Sequence, residues 1–151
     1  KYKKFGKLDF KKLHPAGSLG AQLRTVEDLM LTGEKIPFVS EKTKMNKALR
    51  VLSNKKLGIL VVRNKKKMTS GIITDGEIRR NNQKNSNLQS LTADKLMTRN
   101  PICIDKNSLA AKALSLMNSK KITSLCVYDK KNKRKTIGVL HIHNILSANI
   151  S

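Results

Sequence analysis

Apolar positions along this chain alternate between two periods, in the same order, twice. Met45, Ala48, Leu49, Val51 and Leu52 recur at the three- and four-residue spacing of a single helix face, and Leu109, Ala110, Ala113, Leu114 and Met117 do the same. Each helix leads into a short run rich in branched residues, 57–62 and then 122–127, which reads as a buried strand. A polar turn follows (64–67, then 129–135), and after it a second strand, 69–73 and then 136–140. A strand-to-helix corner closes each unit, with a helix from Glu77 and another from Asn144, and 81–90 reads as a polar linker between the units. Upstream of each long helix lie a short helical turn, at 26–30 and again around Asp94 to Met97, and an extended segment, at 36–39 and at 101–104.

An internal repeat this complete outranks any single motif. Each unit reads extended–helix–strand–strand–helix over about 60 residues, too few to bury a core comfortably alone. The expectation is an α/β (α+β) fold of two β-α-β-β-α repeats packed as a pseudo-twofold pair. The boundaries fall at 25–84 and 85–151, with 1–24 as a preceding segment. Two facing copies bury their sheets and leave related clefts where strands give way to helices, which is where α/β architectures hold ligands.

The corner at the end of the first unit concentrates the chemistry. Gly71-Ile72-Ile73-Thr74-Asp75-Gly76-Glu77-Ile78-Arg79-Arg80 runs an apolar strand into a helix N-terminus, where Thr74 or Asp75 can cap and Glu77 sits near the positive end. Backbone N–H groups, a hydroxyl, carboxylates and guanidinium groups meet there. Such a corner can hold a ribose through a carboxylate and a phosphate through N–H groups and Arg79 or Arg80. Two readings stand side by side, a ligand corner and a simple helix cap. Gly138-Val139-Leu140-His141-Ile142-His143-Asn144 repeats the pattern 67 residues later, with His141 in place of Thr74 and Asn144 in place of Glu77. On a strand, His141 and His143 would share a face, but no third ligand is evident and no metal is assigned. Either ring can instead meet a phosphate or carboxylate, with the Thr123 and Ser124 hydroxyls beside them. Ordinary strand-edge polarity is the competing reading.

Charge changes the picture less than its size suggests. There are 32 Lys and Arg against 10 Asp and Glu, a net charge of +22. That raises nucleic acid or an anionic surface as a partner. Yet the lysines are spread along the whole chain among many asparagines, as in a compositionally biased genome. Aromatic residues on which bases stack are scarce, so nucleic acid is disfavoured. No apolar run approaches the roughly 20 residues of a membrane span. Cys103 and Cys126 lie in separate apolar runs, outside any paired metal-ligand spacing, and read as two free thiols in a reducing cytoplasm.

The duplicated pattern resembles a tandem pair of CBS domains, a Bateman module, over about residues 25–150. A closer resemblance is to the C-terminal part of arabinose-5-phosphate isomerases of the KpsF/GutQ type. His14-Pro15-Ala16-Gly17-Ser18-Leu19-Gly20, Met30-Leu31-Thr32-Gly33, the Gly71–Arg80 stretch, Ile122-Thr123-Ser124 and the Gly138–Asn144 stretch look like its landmarks. The resemblance implies that residues 1–24 are the tail of a preceding sugar-isomerase (SIS) domain and its linker. With no initiator Met and no signal-peptide pattern, the first residue is expected to be a boundary inside a longer protein, which the resemblance places in the cytoplasm.

His14 matches that family's active-site histidine, the one catalytic residue so implied. The phosphate loop and partner carboxylates are missing, so this chain alone is not expected to isomerise a sugar. Thr74 and Glu77 match the hydroxyl and acid that touch phosphate and ribose in nucleotide-binding CBS domains, with Glu one methylene longer than the usual Asp. The parent enzymes interconvert ribulose 5-phosphate and arabinose 5-phosphate for Kdo, on the way to lipopolysaccharide or capsule. The implied role is regulation through a nucleotide or nucleotide-sugar effector such as CMP-Kdo, with no cofactor. The implied partners are the SIS domain and a homodimer of CBS pairs within a homotetramer. A dimerisation module with empty clefts is the alternative.

Overall fold

A computed structural model of the chain describes residues 19–84 and 87–150. His14 and most of the segment assigned to the preceding domain lie outside the described residues. Two short helices come first, α1 (Leu19–Gln22) and α2 (Val26–Leu29). The first repeat continues with β1 (Phe38–Ser40), α3 (Met45–Lys55), β2 (Ile59–Arg63), β3 (Thr69–Thr74) and α4 (Asp75–Lys84). The second runs α5 (Ala93–Leu96), β4 (Thr98–Arg99), β5 (Cys103–Asp105), α6 (Ala110–Lys120), β6 (Ser124–Tyr128), β7 (Gly138–His141) and α7 (Ile142–Leu146).

The mixed α/β reading and the repeated order are what the chain adopts. β1 lies parallel to β2 and β3 antiparallel to it; β5, β6 and β7 repeat this arrangement. The apolar faces of the long helices are buried as their spacing requires, with Met45 and Ala48 sealed in α3 and Ala110, Ala113 and Met117 in α6. Leu109 is the exception. It precedes the first turn of α6 and stays 44% exposed. The stretch 81–90 is also more ordered than a linker. Its first four residues continue α4, Asn81 donating its side-chain N–H to the Glu77 carbonyl at 2.8 Å, and Leu88 is buried in a 3-10 turn beside α3. Polar composition hid both, because an exposed helix end needs no apolar face.

The repeats are contiguous in sequence but exchanged in space. α2 belongs to the core of the second half, where Val26 packs with Ile104, Leu125 and Leu140. Ala93 of α5 packs into the first half with Met45, Leu60 and Ile73. Backbone bonds repeat the exchange on both sides: Val26 N–H donates to the Ser108 carbonyl and Ala93 N–H to that of Thr43, each at 2.8 Å. The residues after each short helix then pair with the other half's sheet. β4 pairs with β3, Ile72 opposite Thr98, while Leu31 and Val139 exchange both bonds at 2.8 and 3.0 Å. A third apolar layer of Ile36, Ile59, Val61, Cys126 and Val139 joins the halves. Neither half is a closed unit, which answers the small-core problem that each repeat faces alone.

Candidate functional site

Both strand-to-helix corners open on one cavity of about 700 Å³ between the repeats. The first corner is built by Thr74 and Glu77. Glu77 Oε1 accepts from the Thr74 N–H at 3.0 Å and its hydroxyl at 3.1 Å, while the Thr74 hydroxyl oxygen accepts from Glu77 N–H at 3.3 Å. This is a reciprocal cap: two helix-end donors are satisfied by two side chains. The second Glu77 oxygen accepts from the hydroxyl of Thr98, delivered by the exchanged strand β4. The longer acid therefore spans from its own helix to the other repeat's segment. Asp75 stands beside it, its N–H donating to the Gly58 carbonyl at 3.1 Å.

The second corner solves the same problem with different groups. His141 N–H donates to Asn144 Oδ1 at 2.9 Å, and His141 Nδ1 accepts from the His143 N–H at 3.1 Å. Accepting at Nδ1 leaves Nε2 carrying the proton of the neutral ring. The premise that His141 and His143 share a strand face does not hold, because β7 ends at His141 and His143 already lies in α7. The turn still brings the rings together, stacked with centroids 4.8 Å apart. Burial, and then the neighbouring His143, hold the His141 pKa below the ordinary imidazole value. Only His141 of the two reaches the cavity lining; Asn144 is spent on the cap.

Thr74, Asp75, Glu77, Thr123, Ser124 and His141 all line the cavity. Arg80 lines it in place of Arg79, since Gly76 and Arg80 are four apart on one helix face and the guanidinium lies over that glycine. Sequence reasoning also passed over Lys56 and Lys121. They end α3 and α6 in the left-handed conformation, φ 60° and 57°, and both reach the cavity. Their common place, between a helix face and a strand in each repeat, was the available signal. Ser124 is distinctive. Its Oγ is buried and has no hydrogen-bond partner among the described residues. It stands opposite His141 in the β6–β7 register, at the position where the first repeat has Ile59 opposite Thr74. The cavity thus has an apolar side at Ile59 and Ile72 and a polar one at Ser124 and His141. No group of three or more His, Cys, Asp or Glu among the described residues is placed to hold a metal. None of the described helices is long and apolar enough to cross a membrane.

The family model described as CBS domain matches residues 26–83 and again 93–151. The chain belongs to the CBS domain family. This CBS pair is 37% identical to arabinose 5-phosphate isomerase KdsD of Escherichia coli (strain K12) over 143 residues, 94% of this chain and 43% of that protein. It is 38% identical to the uncharacterized protein RP505 of Rickettsia prowazekii over 147 residues, 97% of this chain and 44% of that one. The chain spans less than half the length of these curated relatives. Among solved structures, CBSX2 in complex with AMP, a CBS-pair protein of Arabidopsis thaliana, superposes with a TM-score of 0.70 at 26% identity, covering 83% of this chain and 95% of that one. An uncharacterized conserved protein from Pyrococcus horikoshii shares the fold with a TM-score of 0.73 at 22% identity, over 84% and 92% of the two chains.

Proposed function

We propose that this CBS pair is the regulatory module of an arabinose-5-phosphate-type sugar-phosphate isomerase, and that its inter-repeat cavity takes a nucleotide or nucleotide-sugar effector. The observation that carries the reading is that both strand-to-helix corners and the cations Lys56, Lys121 and Arg80 meet around one inter-repeat cavity, where Ser124, whose Oγ is sealed from solvent and unpaired, gains a hydrogen-bond partner by turning its hydroxyl toward a ligand. Lys56, Lys121 and Arg80 around the same space supply charge for phosphate. Similarity to KdsD supports the isomerase context, and the AMP complex of CBSX2 supports a nucleotide. In that context the enzyme works in the cytoplasm and feeds Kdo biosynthesis, which makes CMP-Kdo a feedback effector and adenine nucleotides the generic alternative. The attached SIS domain and a homodimer of CBS pairs within a homotetramer are the partners through which binding would act. An effector shifts the enzyme only through unequal affinity for two of its states.

A second reading has its own observation. Glu77 and Asn144 are consumed by helix caps, as a purely structural dimerisation module would use them. Thermal-shift and calorimetric titration with CMP-Kdo, CMP, AMP, ADP, ATP and arabinose 5-phosphate separates the two. A ligand at about 100 times its Kd stabilises the fold by about 2.7 kcal/mol. Selective stabilisation by one nucleotide class, weakened in Ser124→Ala, is expected; a flat panel selects the scaffold.

A further inference from the structure

A second cavity, of about 520 Å³, lies at the opposite end of the first repeat's sheet, where the β2–β3 turn meets the 129–135 turn of the second repeat. Its charged lining is Lys42, Arg63, Lys65, Lys66 and Arg134 against the single acid Glu41. Glu41 is already engaged, its carboxylate accepting from the Ser70 hydroxyl. Lys42 pairs with Asp94 at 3.0 Å. The other four cations have no carboxylate partner among the described residues. Like charges gathered round a concave surface repel one another, and among the described lining residues only the Glu41 carboxylate partly offsets them.

The backbone that carries these cations is fixed, while the Lys65, Lys66 and Arg134 side chains themselves are exposed. Arg63 lies over the Phe38 ring, 3.8 Å from its centroid. Asn64 Oδ1 accepts from the N–H groups of Lys66 at 2.9 Å and Met68 at 3.0 Å, which fixes the turn bearing Lys65 and Lys66. The Arg134 carbonyl accepts from Thr69 N–H at 2.7 Å, docking the second repeat's turn on the first. A backbone fixed in advance loses less on binding than a flexible loop would. We infer that this basic cavity is a binding site for a small ligand carrying two or more phosphate groups, separate from the inter-repeat cavity.

The four cations without a carboxylate partner, less the Glu41 charge, leave a net +3, more than the charge of about −2 on one phosphate, and Arg63 and Arg134 offer planar forks suited to phosphate oxygens. The volume falls in the range of small-molecule sites, roughly 300–1,000 Å³. No aromatic residue is among the described residues that line this cavity, so no ring there stacks a base, which favours a phosphate chain over a nucleobase or a nucleic-acid strand.

Calorimetry on this chain with inorganic tripolyphosphate, pyrophosphate and orthophosphate, with sulfate at matched ionic strength, tests the site. Saturable tripolyphosphate binding is expected, at least about tenfold tighter than orthophosphate and weakened about tenfold in Arg134→Ala and in Lys65→Ala/Lys66→Ala, both folded by circular dichroism. Thr74→Val, in the other cavity, should bind as before. Equal heats from sulfate, unchanged affinity in the basic-cavity variants, or loss of binding in Thr74→Val would each overturn the assignment. So would a single-stranded oligonucleotide that displaces tripolyphosphate more strongly as its length grows.

Discussion

Thr69 and Thr136, 67 residues apart and equivalent in the two repeats, hydrogen-bond to each other through their hydroxyls at 2.6 Å. Contact between two equivalent side chains places the pseudo-twofold axis between them. Thr69 opens β3 and Thr136 stands two residues before β7, so this bond joins the two halves at the end remote from the helix corners. Thr136 is only 5% exposed, and its hydroxyl depends on partners within the protein.

Removing one hydroxyl should therefore cost more than half of removing both. Thr69→Val is expected to leave Thr136 short of a partner, at about 1–3 kcal/mol. Thr69→Val/Thr136→Val should lose less than the sum of the single variants, since neither polar group is then stranded. Urea denaturation of the four proteins in a double-mutant cycle measures the difference, and strict additivity would contradict the coupling.

Gly71 and Gly138 are where the exchanged segments cross. A Cβ on Gly71 would stand 2.5 Å from the Thr98 carbonyl oxygen, and one on Gly138 would stand 2.5 Å from Met30 Sδ and 3.1 Å from the Leu31 carbonyl oxygen. Both Ala variants should be destabilised, by about 1–3 kcal/mol as for other overpacked sites. Gly71→Ala should suffer more, because backbone on a paired strand cannot swing aside as a methionine can. Urea midpoints rank the two; equal or reversed costs would show that β4 yields more readily than Met30.

The same glycines show what the sequence could and could not convey. As repeated letters before branched residues they marked the corners, and the two-period pattern placed α3, α6 and the strands β2, β3, β6 and β7. Their cause was hidden, since the groups that need the space, Met97 with Thr98 and Met30 with Leu31, approach from the other repeat. Local periodicity reports which face is buried and is silent on which neighbour buries it. The site was legible to the same depth. Thr74, Ser124 and His141 stood out by type, whereas Arg80, Lys56 and Lys121 reach the cavity through helix phase and left-handed helix ends.

Cys103 and Cys126 face each other in the parallel β5–β6 register. Hydrogen bonding from Cys126 holds the Cys103 thiol below its ordinary range, whereas that bond and burial push the Cys126 thiol up. Cys103 is also the more accessible. Alkylation by iodoacetamide, followed by mass spectrometry under native conditions, should label Cys103 well before Cys126, and Cys103→Ser should remove the fast phase. Preferential labelling of Cys126 would contradict the assignment.

The cap at His141 ties stability to pH. Its Nδ1 accepts a backbone N–H only while that nitrogen is unprotonated, and burial, followed by repulsion from His143, already lowers the folded-state pKa. A pKa lower in the folded than in the unfolded chain means that the unfolded chain binds more protons in between. This contribution is therefore fully present above the unfolded value and is lost as pH falls through the folded one. Denaturation midpoints should drop on acidification from near neutral pH through and below the usual imidazole range. His141→Asn supplies a cap acceptor that does not titrate, so it should keep most of the stability at neutral pH and flatten that slope. An unchanged slope in His141→Asn would assign the acid sensitivity to other groups.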